Sequence, residues 1–189
     1  MNKTTTIALS TLALVTTTAP AMARGEFRFG LNTGDKLPEA HRYLRDMVQD
    51  TGIEFKVNPR ECDEKAAFGW YWAARNEFVI CQENRRKNFG FAHEVQWTAE
   101  DLDTLRHEAQ HLIQDCMDGS RQGSLDSVYN EPIELAKEVL GHDGIASILK
   151  AYSDKSDHIK VMELEAFSVA AMNDPREQSR DIQKFCFGR

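Results

Sequence analysis

The sequence predicts an α+β fold, mainly helical, with a small antiparallel sheet placed ahead of the helix that carries His107-Glu108-Ala109-Gln110-His111. Two observations predict it. Apolar residues recur at helical spacing along most of the chain, and strand-like alternation is confined to the stretch before the histidine motif. Gly and Pro at the element ends then set the boundaries.

Leu37, Ala40, Tyr43, Leu44 and Met47 fall on one helical face, so Pro38–Val48 is predicted as a helix with Gly52 as its stop. Ile53, Phe55 and Val57 alternate with polar residues and predict a strand. Phe68–Cys81 reads as a β-hairpin: Gly69–Trp72 is one arm, Arg75-Asn76 the turn, and Glu77–Cys81 the other arm. Trp70 and Trp72 then share one face and Tyr71 takes the other.

Residues 83–93 are polar and predict a loop. Thr98-x-x-Asp101 has the form of a capping box with Asp in place of Glu or Gln, so the central helix starts there. Leu102, Leu105, Ala109, Leu112, Ile113 and Cys116 form its apolar stripe, and Gly119 ends it. After a loop over 120–128, helices are predicted at Pro132–Leu140, Gly144–Tyr152, Asp157–Met172 and Glu177–Phe185.

The 189 residues suffice for one domain with a proper core, at 41% hydrophobic and 28% charged. A net charge of −7 argues against nucleic acid as the main partner, because phosphate binding calls for a basic surface. At the N-terminus, Lys3, the short apolar run Ile7–Val15 and Ala21-Met22-Ala23 have the layout of a secretory signal. Residues 1–23 are therefore expected to be a signal peptide cleaved after Ala23, leaving one domain over 24–189 in a secreted or periplasmic protein with no membrane segment.

Export makes disulfides the natural state of Cys62, Cys81, Cys116 and Cys186. Three pairings are possible. Cys62–Cys81 with Cys116–Cys186 is preferred: the first ties two nearby segments of the β region, the second pins the C-terminal helix to the end of the histidine helix. No Cys-x-x-Cys spacing suggests a cysteine-held metal.

On a helix, His107 and His111 lie one turn apart on the same face and can share one ion, with Glu108 beside its bound water as general base. A catalytic zinc site needs a third protein ligand from a separate element. His142, His158, Glu163 and Glu165 are the downstream candidates, and no third histidine follows the motif closely. Glu163 shares a helix face with Ile159, Ala166, Phe167 and Ala170; Glu165 lies with Val161, Met162, Val169 and Met172. This favours Glu163, with Glu165 as the alternative. Asp115, one turn past His111, could orient a ligand or face the surface, and His41 reads as a surface position.

His107-Glu108-x-x-His111 followed on a later helix by Glu163-x-x-Ala166 resembles the gluzincin group of zinc metallopeptidases, and the resemblance spans Phe68 to Ala171. It implies a zincin-like fold and one Zn²⁺ held by His107, His111 and Glu163. It further implies Glu108 as catalytic base and a peptide or protein as substrate. The acidic residue that commonly follows in that group falls on Phe167. The resemblance also implies that Glu77–Cys81 is an edge strand that aligns an extended peptide by β-augmentation. Tyr129, His142, Tyr152 and His158 remain equal candidates to stabilise an oxyanion. Two other functions stay open: a disulfide-stapled binding protein without turnover, and a zinc amidase acting on cell-wall peptides.

Overall fold

Helix α1 (Glu39–Asp50) and strand β1 (Glu54–Val57) open the described part of the computed structural model, which comprises residues 37–65, 67–85, 94–117, 119 and 121–188. The expected signal segment lies outside the described residues, as do residues 86–93 of the predicted loop. Helix α2 (Glu61–Glu64), strand β2 (Gly69–Trp72), a 3-10 turn (Ala73–Arg75) and strand β3 (Glu77–Ile80) follow. Helices α3 (Ala99–Cys116), α4 (Pro132–Val139), α5 (Gly141–Ala151), α6 (Asp157–Met172) and α7 (Pro175–Cys186) complete the order. The fold is α+β and mostly helical, with one three-stranded sheet among the described residues. No described helix is long and apolar enough to cross a membrane.

Three local details differ from expectation. The one-turn helix α2 was too short to leave a periodic signal. Helix α5 starts at Gly141, three residues early, because its first turn continues directly from α4. Pro175 begins α7 as its first residue, with Asp174 capping Arg176 N–H, rather than merely following α6.

The sheet departs from the expected antiparallel arrangement. Its strand order is β1-β3-β2, with β3 parallel to β1 and antiparallel to β2. All four β3 residues are buried, and both of its edges are paired. It cannot receive an added strand, so the expectation that Glu77–Cys81 forms the edge is wrong. Phe78 and Ile80 face the same cluster as Tyr71, Leu44, Leu105, Leu112, Ile113 and Ile182. On the other face Trp70 and Val79 pack on Cys62 and Cys81. Each such large apolar side chain contributes ~1.5–3 kcal/mol by leaving water. Glu77, buried in the central strand, is held by Lys56 Nζ at 2.8 Å and Trp70 Nε1 at 3.1 Å.

Gly69 sets how closely β2 approaches α3. A Cβ there would lie 2.7 Å from Thr104 Cγ2 and 2.7 Å from Val79 O, and neither the β-branched side chain nor the backbone yields easily. Gly69→Ala is expected to cost about 1–3 kcal/mol in urea unfolding through this overpacking.

Helix α3 begins with the full capping box. Thr98 Oγ1 accepts Asp101 N–H at 3.2 Å, and Asp101 Oδ2 accepts Thr98 N–H at 2.9 Å. The other oxygen of Asp101 accepts Glu83 N–H at 2.8 Å. Nearby, the Gln82 side chain pairs with Val95 like a backbone, Val95 N–H reaching Oε1 at 2.7 Å and Nε2 reaching Val95 O at 2.9 Å. At the far end of α3, Cys116–Cys186 joins it to α7, while Cys62–Cys81 closes the β region; both disulfides form with the preferred pairing. Each such bridge typically contributes ~2–4 kcal/mol.

His41 is not a surface position. Both ring nitrogens are buried without a partner, near Arg106 of α3 and Asp174. Burial, helped by Arg106 and opposed by Asp174, lowers its pKa from 6.5 to about 4. The folded state therefore resists protonation more than the unfolded chain does. Stability from this group is complete above about pH 6.5 and is lost as the pH falls towards about 4. Urea unfolding should show up to about 3 kcal/mol lost over that window, at about 1.4 kcal/mol per pKa unit, and His41→Gln should flatten it.

Candidate metal centre

Helix α3 carries His107, Glu108 and His111 on the face that meets α6, which carries Glu163. These four residues are 5%, 1%, 2% and 0% exposed, so the group is sealed from bulk water. The Nε2 atoms of His107 and His111 lie 3.1 Å apart. Glu163 Oε2 lies 3.2 Å from His107 Nε2 and 3.5 Å from His111 Nε2.

That triangle fits a metal ion. Three ligand atoms at ~2.0–2.1 Å from a tetrahedral centre lie ~3.3–3.4 Å from one another, close to the spacing seen. Neither Glu163 oxygen makes an aligned hydrogen bond, although two imidazole nitrogens are within reach of one of them. Three electron-pair donors thus converge on one buried point, where a divalent cation can satisfy all of them.

The electrostatics of the group follow from its burial and its neighbours. Burial alone would raise the Glu163 carboxyl, but His111 and His107 outweigh it and hold Glu163 well below the usual carboxylate range. Burial would lower His111, yet Glu163 and Glu108 raise it to about 9. Glu108 is pushed up by burial; the two imidazoles oppose this and Glu163 adds to it.

Glu165 is fully engaged elsewhere. It accepts from Gln110 Nε2 at 2.9 Å, Gln114 Nε2 at 3.0 Å, Val128 N–H at 3.2 Å and Tyr129 N–H at 3.3 Å, and from the Ser127 hydroxyl. It anchors the 127–129 segment and does not join the triangle. Asp115 is buried but meets neither histidine; it accepts Tyr71 Oη at 2.5 Å and Gly123 N–H at 2.6 Å. Phe167 stands where the resemblance led us to look for an acid. Its ring packs 4.3 Å from that of His107, whose Nδ1 makes no hydrogen bond.

Of the four oxyanion candidates, only Tyr152 is brought to the group. Its hydroxyl is buried without an aligned hydrogen bond, and burial together with Glu163 and Glu108 pushes its pKa up. His142 is fully exposed, His158 Nε2 lies 2.7 Å from Leu125 O, and Tyr129 Oη accepts from Asn173.

Two contributors escaped sequence reasoning. Tyr71 N–H, on the outer edge of β2, donates to Glu108 Oε2 at 2.8 Å. No local signal announces this contact, because it depends on how the sheet docks. Gln114 Oε1 lies 2.8 Å from His111 Nδ1. Its position three residues after His111, on the same helix face, was a usable signal.

A mostly helical α+β fold with a buried His-His-Glu group defines a protein able to hold a metal ion at the core of its domain. A family model described as "Domain of unknown function (DUF8637)" matches residues 35–187, and the chain belongs to that family. No curated protein and no solved structure matches the chain.

Proposed function

We propose that this protein is an exported zinc metallopeptidase of gluzincin type, built on a zincin-like fold. The observation that carries the reading is the His107–His111–Glu163 triangle with Glu108 sealed beside it. The two disulfides and the signal-like N-terminus support export.

The two imidazoles and one carboxylate suit zinc, which when bound supplies Lewis acidity towards a water and the scissile carbonyl. Glu108 accepts the proton of the attacking water and returns it to the leaving amine. The Tyr71 N–H keeps the Glu108 carboxylate in place through one oxygen, leaving the other to take the proton. Tyr152 donates its hydroxyl to the carbonyl oxygen as negative charge develops there. Zinc analysis together with peptide hydrolysis by the parent chain and Glu108→Gln tests the reading.

One observation favours a second reading. The whole group is buried and Glu108 is already tied to β2, which suits a binding protein that holds a metal without turnover. Stoichiometric zinc with no hydrolysis of any peptide by the parent chain would establish it.

A further inference from the structure

The side chain of Gln114 is fully buried and offers one acceptor oxygen and two N–H donors. Its Nε2 lies 3.1 Å from Met162 O and 3.0 Å from Glu165 Oε1, which accept and do not donate. The amide therefore cannot turn over without setting its oxygen against both. Gln114 Oε1 is left facing His111 Nδ1 at 2.8 Å and can only accept. His111 Nδ1 must then carry a proton, which assigns the lone pair to Nε2, the atom that faces His107 and Glu163.

We propose that Gln114 and Glu165 form a relay that fixes His111 in its metal-binding tautomer before any metal arrives. The proposal deepens the zinc reading above and rests on it. Glu165 is the fixed end of the relay, because donors from α3 and from the 127–129 segment hold its carboxylate and so determine which way the Gln114 amide points. Any proton a metal displaces from His111 then comes from Nε2 alone, and the ring needs no rearrangement. His107 supplies an internal contrast. Its Nδ1 has no hydrogen bond and its ring is positioned by packing on Phe167. With acceptors only at Nε2, from Glu163 Oε2 at 3.2 Å and His111 Nε2 at 3.1 Å, its proton is drawn to that nitrogen, the one a metal would need bare. Gln114 and Glu165 are thus positioning residues that act through His111.

The test uses the full disulfide-bonded chain with ¹⁵N-labelled histidine. Zinc affinity is read by competition with a chromophoric chelator. The ring nitrogens are read in chelator-stripped protein across a pH series, in the plateau where both imidazoles are neutral. In the parent chain His111 shows the Nδ1–H tautomer and His107 the Nε2–H tautomer. Gln114→Met keeps side-chain length but removes the acceptor; it should weaken zinc binding roughly 10–100-fold and bring up the second His111 tautomer. Glu165→Gln should change both readouts in the same direction. A purely structural role would lower thermal stability without changing the tautomer. If Glu165→Gln does not fold, Gln114→Met decides the matter.

The relay alone is overturned if the parent binds zinc while Gln114→Met keeps one His111 tautomer and an affinity within about threefold, well inside the usual loss. A parent chain that takes up no zinc overturns the metal reading, and the relay's role with it.

Discussion

Glu108→Gln should leave one zinc bound per chain and lower peptide hydrolysis by about 10²–10⁴-fold, the usual worth of a positioned general base. The amide is nearly the same shape as the carboxylate, and its oxygen can still accept the Tyr71 N–H that now reaches Glu108 at 2.8 Å. What it cannot do is take a proton from water. The variant should also be no less stable than the parent. Burial and the neighbouring Glu163 already oppose charge at this position, so a neutral side chain relieves the fold. Unchanged thermal unfolding therefore separates lost chemistry from lost structure. Full hydrolysis by a zinc-loaded Glu108→Gln would end the peptidase reading.

The second large effect divides two glutamates that stand two positions apart. Glu163→Ala removes a corner of the metal triangle and should abolish stoichiometric zinc, a loss beyond the roughly 100-fold expected for an outer partner. Glu165→Ala keeps all three ligands and should retain zinc, more weakly. Its main cost falls on folding, because Gln110, Gln114, Ser127, Val128 and Tyr129 all donate to that carboxylate. Leaving several buried donors without an acceptor should cost about 3 kcal/mol or more in urea unfolding. Equal zinc retention in the two alanine variants would refute the division.

Much of this architecture is legible in local sequence, for identifiable reasons. The start of α3 is written in Thr98 and Asp101, which cap each other within one turn, and its end in Gly119. The disulfide pairing follows from which elements each cysteine closes. The choice between Glu163 and Glu165 was visible only as a preference, since both lie on apolar stretches and both are fully buried. The parallel pairing of β1 with β3 was not legible at all. Alternation at Ile53, Phe55 and Val57 announces a strand but carries no information about its partner or direction. The Tyr71–Glu108 contact was hidden for the same reason, because it joins residues 37 apart through sheet docking. At Phe167 the sequence showed a missing acid, and only packing reveals that an aromatic ring fills the place beside His107.

The double clamp at the end of β3 has a consequence for α3. Gln82 grips Val95, and Asp101 grips the backbone of Glu83, so the end of β3 and the entry to α3 are fastened side by side. The first turn of the helix that carries both histidines is thereby latched to the central strand, and the sheet sets where that helix begins.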